Sequence, residues 1–190
     1  QPMEERKLTI SRARISVELP AAFMLVASMN PCPCGYYNHP EKECSCPPGT
    51  VQKYLQKISG PLLDRIDLQI EVTPVPFQNL SSSTLAESSG EIRTRVIRAR
   101  QIQANRYREN RGIYCNAQMS SRQLEQNCSL GTSSRQLLKT AMERLKLSAR
   151  AYDRILKMAR TIADLSQNEI ILPEHIAEAT RLIDGITRFP

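Results

Sequence analysis

The hydrophobic pattern of this chain changes across residues 73–90, and that change limits the folds that the chain can adopt. Residues 73–90 read TPVPFQNLSSSTLAESSG, a stretch rich in Pro and Ser that offers almost no core. Before it, apolar residues alternate or form short runs, and after it they recur at helical spacing. The sequence therefore predicts an α/β domain at residues 1–76, a linker at 77–90 and an all-α domain at 91–190.

The α/β part is predicted to contain a hairpin and two core strands. Residues 7–19, KLTISRARISVEL, are β-branched and alternating, which is typical of a hairpin. The continuously apolar run AFMLVAS at 22–28 favours a strand buried on both faces, with a buried helix as the alternative. Residues 66–72, IDLQIEV, alternate apolar and polar and indicate a strand with one wet face. A short helix is expected near 50–58.

The second part is predicted to be a bundle of helices at 91–110, 120–126, 133–146, 148–165 and 173–187. The clearest helix begins after Ser148, a good N-cap, and places Ile155, Ala159 and Ile162 on one face. Pro173 suits a helix start because its missing N–H is not needed there.

Charge and length narrow the classes of partner. The chain has 26 Lys+Arg against 19 Asp+Glu, a net charge of +7, which is compatible with nucleic acid or nucleotide partners and equally with a cationic solvated surface. No run reaches the roughly 18 apolar residues of a membrane span, and no signal peptide opens the chain. A cytoplasmic protein without a membrane partner is expected. Gln1 starts in mid-pattern, which suggests a fragment.

Four cysteines lie in one loop, in the order C-x-C, nine residues, C-x-C: Cys32, Cys34, Cys44 and Cys46. Four thiolates can hold Zn²⁺ tetrahedrally and fasten a loop too polar to fold alone. A site with four cysteine ligands has no open position, so the predicted role is structural. The alternative is a set of free thiols on a mobile loop.

Three polar residues occupy positions where they could act on a phosphate. Asn30 follows the predicted buried strand, where ligands of open α/β sheets bind, although Asn-Pro is also a turn starter. Arg65 follows the Gly60-Pro61 turn on a rigid corner, and the alternative role is an ion pair with Asp64 or Asp67.

Arg150 is the third of these residues, in the first turn of the helix that Ser148 begins. A cation there opposes the helix dipole at a cost of about 0.3–1 kcal/mol, unless an anion binds beside it. Arg154 lies one turn further on the same face. The alternative is an ordinary exposed arginine.

These motifs, in this order, resemble a known family. The segments LVASMNPCPCGYYNHPEKECSC, SGPLLDRIDLQIEV and LSARAYDRILKMARTIADL are similar to the C-terminal half of the magnesium-chelatase-like AAA+ ATPases of the ComM/YifB type. The resemblance covers nearly the whole chain. It implies the C-terminal part of a P-loop NTPase core followed by a helical lid.

The resemblance also implies roles for individual residues. Asn30 would be sensor 1, Arg65 an arginine finger acting on ATP bound by the adjacent subunit, and Arg150 sensor 2 over the γ-phosphate, with Arg154 beside it. Residues 7–19 would match a hairpin that reaches into the central pore of related rings, so that Arg12 and Arg14 would face DNA. The implied cofactors are ATP and Mg²⁺, and the implied assembly is a hexameric ring.

The 190 residues contain no G-x-x-x-x-G-K-[ST] segment, so we expect this chain alone to be catalytically inactive. Three functions remain open at this point. The first is a DNA-remodelling ring ATPase with a role in competence and recombination. The second is a magnesium-chelatase motor subunit acting in porphyrin metallation. The third is a zinc-bearing nucleic-acid-binding module with no enzymatic activity.

Overall fold

The structure is a computed structural model and describes residues 5–12, 14–63, 65–72, 74–75 and 86–184. The chain divides into two compact units, residues 1–66 and 67–190. The predicted linker at 77–90 lies largely outside the described residues, so the predicted domain boundaries stay a prediction. No helix in the described part of the chain is long and apolar enough to cross a membrane.

The first unit contains the predicted hairpin. Strands β1 (Lys7–Arg12) and β2 (Ile15–Pro20) pair antiparallel, with Leu8 opposite Leu19 and Ile10 opposite Val17. Side chains alternate between the two faces of a hairpin. One face is therefore apolar, and the other carries the Lys7–Glu18 ion pair at 3.0 Å.

The two predicted core strands are not formed among the described residues, and this part of the fold prediction was wrong. Residues 22–28 have no regular secondary structure, and Met24 and Val26 are 86% and 80% exposed. Residues 66–72 are likewise irregular, with Val72 88% exposed. A strand needs a hydrogen-bonded neighbour, and in the described residues the only sheet is the two-stranded hairpin.

Two short helices complete the described secondary structure of the first unit: α1 (Thr50–Leu55) and α2 (Gly60–Leu63). Gly49 precedes α1 with a φ of 76°, a left-handed conformation that glycine adopts without a steric penalty. The short helix expected near 50–58 is therefore present. Cys32 is the one buried residue of hydrophobic type in the described part of this unit.

The second unit is helical, as predicted. Its described helices are α3 (Ser89–Arg106), α4 (Ser121–Asn127), α5 (Thr132–Arg144), α6 (Ala149–Leu165) and α7 (Pro173–Asp184), with a 3₁₀ turn at Asn116–Gln118. The Ser148 hydroxyl caps α6 by accepting the Ala151 N–H at 3.2 Å. Pro173 begins α7, so both predicted start signals are confirmed.

Helix α6 is the centre of this unit. Its residues Ile155, Ala159 and Ala163, four apart, are fully buried, and this spacing forms a single apolar stripe. Helices α3, α4 and α7 and the 3₁₀ turn all pack on α6. Burial of this stripe against the neighbouring elements stabilises the unit.

Candidate functional site

The four loop cysteines come together as the sequence predicted. Their sulfur atoms all lie within 4.8 Å of one another. The Cys32 sulfur is 3.2 Å from that of Cys34 and 3.7 Å from that of Cys44, and the Cys34 and Cys44 sulfurs are 3.5 Å apart. A disulfide bond would require about 2.05 Å. A tetrahedral zinc ion with Zn–S bonds of about 2.3 Å has sulfur–sulfur edges of about 3.8 Å, so this arrangement fits a Zn²⁺ ion.

The backbone around the loop favours thiolates. The N–H of Tyr36 lowers the pKa of Cys34 to about 5, with help from the Cys32 thiol. Cys46 accepts a hydrogen bond from the N–H of Cys34, but burial and the three neighbouring thiols raise its pKa to about 12. Four crowded thiols cannot all ionise easily unless a cation offsets the charge, and a divalent metal ion supplies that charge.

Local turns give the loop its shape. Gly35 has a φ of 83° and its N–H donates to the Cys32 carbonyl at 3.0 Å, closing the first turn. The ring Nδ1 of His39 accepts hydrogen bonds from the N–H groups of Glu41 and Lys42 at 3.0 and 3.1 Å. His39 therefore organises the loop and does not belong to the cysteine cluster.

The residues predicted to act on ATP occupy different environments. Asn30 is exposed, in an irregular segment directly before the cysteine loop. The strand expected to end beside it is not formed in the described residues. The Arg65 guanidinium folds back toward α2, and its Nη1 donates to the Pro61 carbonyl at 2.5 Å. The catalytic roles of Asn30 and Arg65 stay predictions.

The two arginines at the start of α6 also differ. Arg150 is the second residue of the helix and is exposed. Arg154 lies one turn later, its side chain is only 15% exposed, and its Nε is 2.9 Å from a carboxylate oxygen of Asp67. The predicted sensor 2 residue and its neighbour thus share one helix face, but Arg154 already has an acidic partner.

The predicted nucleic-acid contacts Arg12 and Arg14 are both exposed, at the end of β1 and in the hairpin turn. Ala13, between them, lies outside the described residues. Exposure is what a DNA contact requires, and their role stays a prediction.

The chain is similar in sequence to known proteins over nearly its whole length. The chain is 41% identical over 180 residues to the competence protein ComM of Haemophilus influenzae, covering 94% of this chain and 34% of that protein. It is 39% identical over 190 residues to the uncharacterized protein YifB of Escherichia coli and 36% identical over 190 residues to that of Salmonella typhimurium, covering in both cases 98% of this chain and 36% of the relative. The chain therefore spans about a third of the length of the curated relatives it matches.

Family models match both parts of the chain. Residues 86–182 match the model described as magnesium chelatase, subunit ChlI C-terminal, and residues 1–80 match magnesium chelatase, subunit ChlI. The chain belongs to the magnesium-chelatase-like ComM/YifB family. The resemblance inferred from the three sequence segments is thereby confirmed.

A buried polar cluster in this ComM/YifB-family chain was missed by the sequence reasoning. The Asp164 carboxylate is fully buried and accepts hydrogen bonds from Arg106 Nη1 at 2.8 Å, Arg160 Nε at 3.1 Å and Asn116 Nδ2 at 2.8 Å. Asn116 also accepts the Tyr107 hydroxyl at 2.8 Å. The cluster ties α3, the 3₁₀ turn and α6 together. Its signal in the sequence was Arg160 and Asp164 beside the apolar stripe of α6.

Proposed function

We propose that the full-length protein hydrolyses ATP as a ring-shaped, hexameric oligomer and uses the energy to remodel DNA, for example by branch migration. The observation that carries the proposal is the match of both parts of the chain to magnesium chelatase models. DNA as the partner is supported by the competence protein among the relatives and by the net charge of +7. Because the chain spans about a third of its relatives, these statements concern the whole protein.

This chain would contribute four polar side chains to the reaction. ATP and Mg²⁺, when bound, supply the phosphoryl group and the neutralising charge. The Asn30 amide would orient the attacking water without adding charge. The Arg65 guanidinium would stabilise negative charge on ATP held by the neighbouring subunit, an effect of about 10³–10⁵ in rate in comparable systems. Arg150, with Arg154 beside it, would close over the γ-phosphate.

The cysteine loop is proposed to hold a structural Zn²⁺ ion through Cys32, Cys34, Cys44 and Cys46. The close approach of all four sulfurs supports this proposal. Such a site leaves no position for substrate, so the ion would stabilise the loop directly after Asn30 and take no part in hydrolysis.

The test is the ATPase rate of the full-length protein, with and without DNA, as Arg65→Ala subunits are mixed with wild-type subunits. If Arg65 acts across a subunit boundary, activity falls more steeply than the fraction of mutant subunits. Arg144→Ala, at the exposed end of α5, is the matched control and should leave the rate unchanged. A strictly proportional fall would show that Arg65 acts within its own subunit, and absence of ATP hydrolysis would overturn the ATPase proposal.

A second candidate is a motor subunit for magnesium insertion into a porphyrin, favoured by the name of the matching family models. The two candidates differ in what accelerates ATP hydrolysis. Stimulation by DNA supports the remodelling function. An ATPase indifferent to DNA, in a protein that promotes metallation of a porphyrin with its partner subunits, supports the chelatase.

A further inference from the structure

The arginines of helix α3 differ in whether they have an acidic partner. Arg95 lies 2.5 Å from a carboxylate oxygen of Glu87, and Arg106 is bonded to the buried Asp164. The carboxylate of Glu91, the acid in the first turn, is turned back to cap the helix start. The other arginines of α3 are exposed and form no ion pair within the described residues: Arg93, Arg98 and Arg100. Their positive charge is therefore available to a partner.

The three unpaired arginines lie on two sides of the helix. Successive residues of an α-helix are rotated by about 100°. Buried Ala99 and Gln103 mark the side of α3 that faces the core of its unit. From that direction Arg98 is rotated by about 120° one way, and Arg93 and Arg100 by about 80–100° the other way. The arginines therefore flank, on both sides, the part of α3 that points away from the unit.

Between these flanks lies a face that we call the outward face of α3, made up of Thr94, Ile97, Gln101 and Asn105. All four residues are exposed. The amides of Gln101 and Asn105 each carry hydrogen-bond donors and an acceptor, which are the groups that read base edges. Residues 93–106 contain no Asp or Glu, so the outward face does not repel phosphate.

The dimensions and charge of this face fit one kind of partner. An α-helix with its side chains is about 10–12 Å wide, and the major groove of B-form DNA is about 12 Å wide. A helix in that groove has a phosphate strand on each side, which matches arginines on both flanks. The first ten residues of α3, 89–98, are all exposed, so no described residue covers this half of the helix.

Two other anionic partners fit this face less well. Double-stranded RNA has a major groove that is too deep and narrow for side chains to read. A helix that lies on a membrane surface buries a broad apolar face, whereas Ile97 is the one large apolar residue of the outward face. The observations therefore favour duplex DNA.

We propose that α3 is a contact for double-stranded DNA. Its outward face lies in the major groove, and Arg93, Arg98 and Arg100 bind phosphates of the two strands. This inference rests on the proposed function, which has DNA as the partner, and adds to it a contact surface in the helical unit. It does not depend on ATP hydrolysis.

The first test measures DNA affinity of the full-length protein by fluorescence anisotropy of a labelled duplex, with a non-hydrolysable ATP analogue present. Joint replacement of Arg93, Arg98 and Arg100 by Ala should lower the affinity at least about tenfold at about 0.1 M salt. The slope of log K against log salt concentration should become shallower by about 0.9 for each arginine that contacts a phosphate, because fewer counterions are released.

The matched control removes the same charge from other helices. Joint replacement of Arg122, Arg144 and Arg181, exposed on α4, α5 and α7, should change the affinity by less than about twofold. Alanine has the highest helix propensity, so both triple variants should keep the circular dichroism of the wild type. Equal weakening by the two triple variants would show that DNA responds to net charge alone and would overturn the inference.

A second test addresses the placement in the groove. Gln101→Glu puts a negative charge at the centre of the outward face and should lower DNA affinity about fivefold or more, because the carboxylate meets phosphates on both sides. Gln136→Glu, an identical change at an exposed position of α5, is its control and should have an effect of less than about twofold. Equal effects of the two changes would overturn the placement of α3 in the groove.

Alternative partners give different patterns. An RNA duplex of the same sequence should lose less than about twofold in affinity in the α3 triple variant, and an equal loss on RNA and DNA would overturn the major-groove contact. Binding to phosphatidylserine vesicles that disappears in the α3 triple variant, with DNA affinity unchanged, would make α3 a membrane contact and overturn the inference.

Failure of the inference is distinguishable from failure of the proposed function. A wild type that binds DNA, with unchanged affinity in the α3 triple variant, overturns the inference and leaves the proposed function intact. A wild type that does not bind DNA removes the DNA part of the proposed function and this inference together, and the ATPase rate then decides the remaining part.

Discussion

At the scale of single residues, the Asp164 cluster places charged groups inside the helical unit, where their desolvation costs free energy. Two arginines, Arg106 and Arg160, share one carboxylate that has no exposure to solvent. Arg160 and Asp164 are out of water and the Arg106 side chain is 16% exposed, so hydrogen bonds within the cluster and to the backbone must offset most of the cost of desolvation. Arg160 also donates to the carbonyl oxygens of Asn168 and Glu169, so its guanidinium is well satisfied.

Asp164→Asn should destabilise the helical unit by about 3–5 kcal/mol, because it leaves the buried Arg160 and the partly buried Arg106 without a counter-charge. Urea unfolding followed by circular dichroism at neutral pH measures this difference. Glu143→Gln, which removes one partner of an exposed ion pair, is the control and should change the free energy of unfolding by less than about 0.5 kcal/mol. A similarly small change for Asp164→Asn would show that the cluster contributes little.

At the scale of elements, the helices were predictable and the core strands were not. Helix signals are local: Ser148 and Pro173 mark starts, and the apolar spacing of α6 is visible within its own 17 residues. The hairpin was also predictable, since its two strands adjoin in sequence. The run at 22–28 shows only that a segment is apolar, whereas becoming a strand depends on a distant partner. Contacts such as Arg106–Asp164, 58 residues apart, escape local patterns for the same reason.

The start of helix α3 is held by hydrogen bonds at its N-cap, although this part of the helix is not buried against other described elements. Its first ten residues, 89–98, are all exposed. It is held at this end by a capping box, in which the Ser88 hydroxyl accepts the Glu91 N–H at 3.3 Å and the Glu91 carboxylate accepts the Ser88 N–H at 2.8 Å. Two of the orphan N–H groups at the helix start are satisfied in this way.

Ser88→Ala should therefore weaken the start of α3 by about 1 kcal/mol, giving about fivefold faster hydrogen exchange in the amides of its first turns. Ser89→Ala, one residue on and inside the helix, is the control and should not accelerate exchange.

The same cap predicts that the stability of the start of α3 depends on pH. The Ser88 N–H and hydroxyl lower the pKa of Glu91 below its ordinary value of 4.5. The stabilisation is therefore present above pH 4.5 and is lost as the pH falls through the lowered pKa. An NMR titration of the Glu91 carboxyl group should give a midpoint below 4.5 in the wild type and closer to 4.5 in Ser88→Ala. Equal midpoints would mean that the Ser88 hydroxyl does not stabilise the Glu91 carboxylate in solution.

At the scale of the whole molecule, the two units draw their stability from different sources. The hydrophobic core of the described residues lies in the helical unit and runs from Tyr107 to Ile183. In the described part of the first unit, Cys32 is the only residue of hydrophobic type that is buried. The cysteine cluster was predictable from spacing because its four cysteines lie within 15 residues, Cys32 to Cys46. Metal binding would thus replace a core that the first unit lacks in these residues.

Removal of zinc should accordingly loosen residues 31–46 and leave the helical unit folded. We expect about one Zn²⁺ per chain in the wild type, and loss of the ion in Cys34→Ser, by elemental analysis. Cys115→Ser, outside the cluster, is the matched control and should retain zinc. Hydrogen exchange after chelation should rise in residues 31–46 only. A metal-free wild type, or loss of helical circular dichroism on chelation, would contradict this expectation.

The hairpin of the first unit has a consequence for the behaviour of the protein in concentrated solution. Its apolar face presents Leu8, Ile10, Val17 and Leu19, which are 40–50% exposed. Among the described residues the sheet has only these two strands, so each strand also has an outer edge without a neighbouring strand there. An exposed apolar face beside sheet edges without a neighbouring strand is the combination through which chains associate and precipitate. We therefore expect charged substitutions on that face to raise the solubility of this chain.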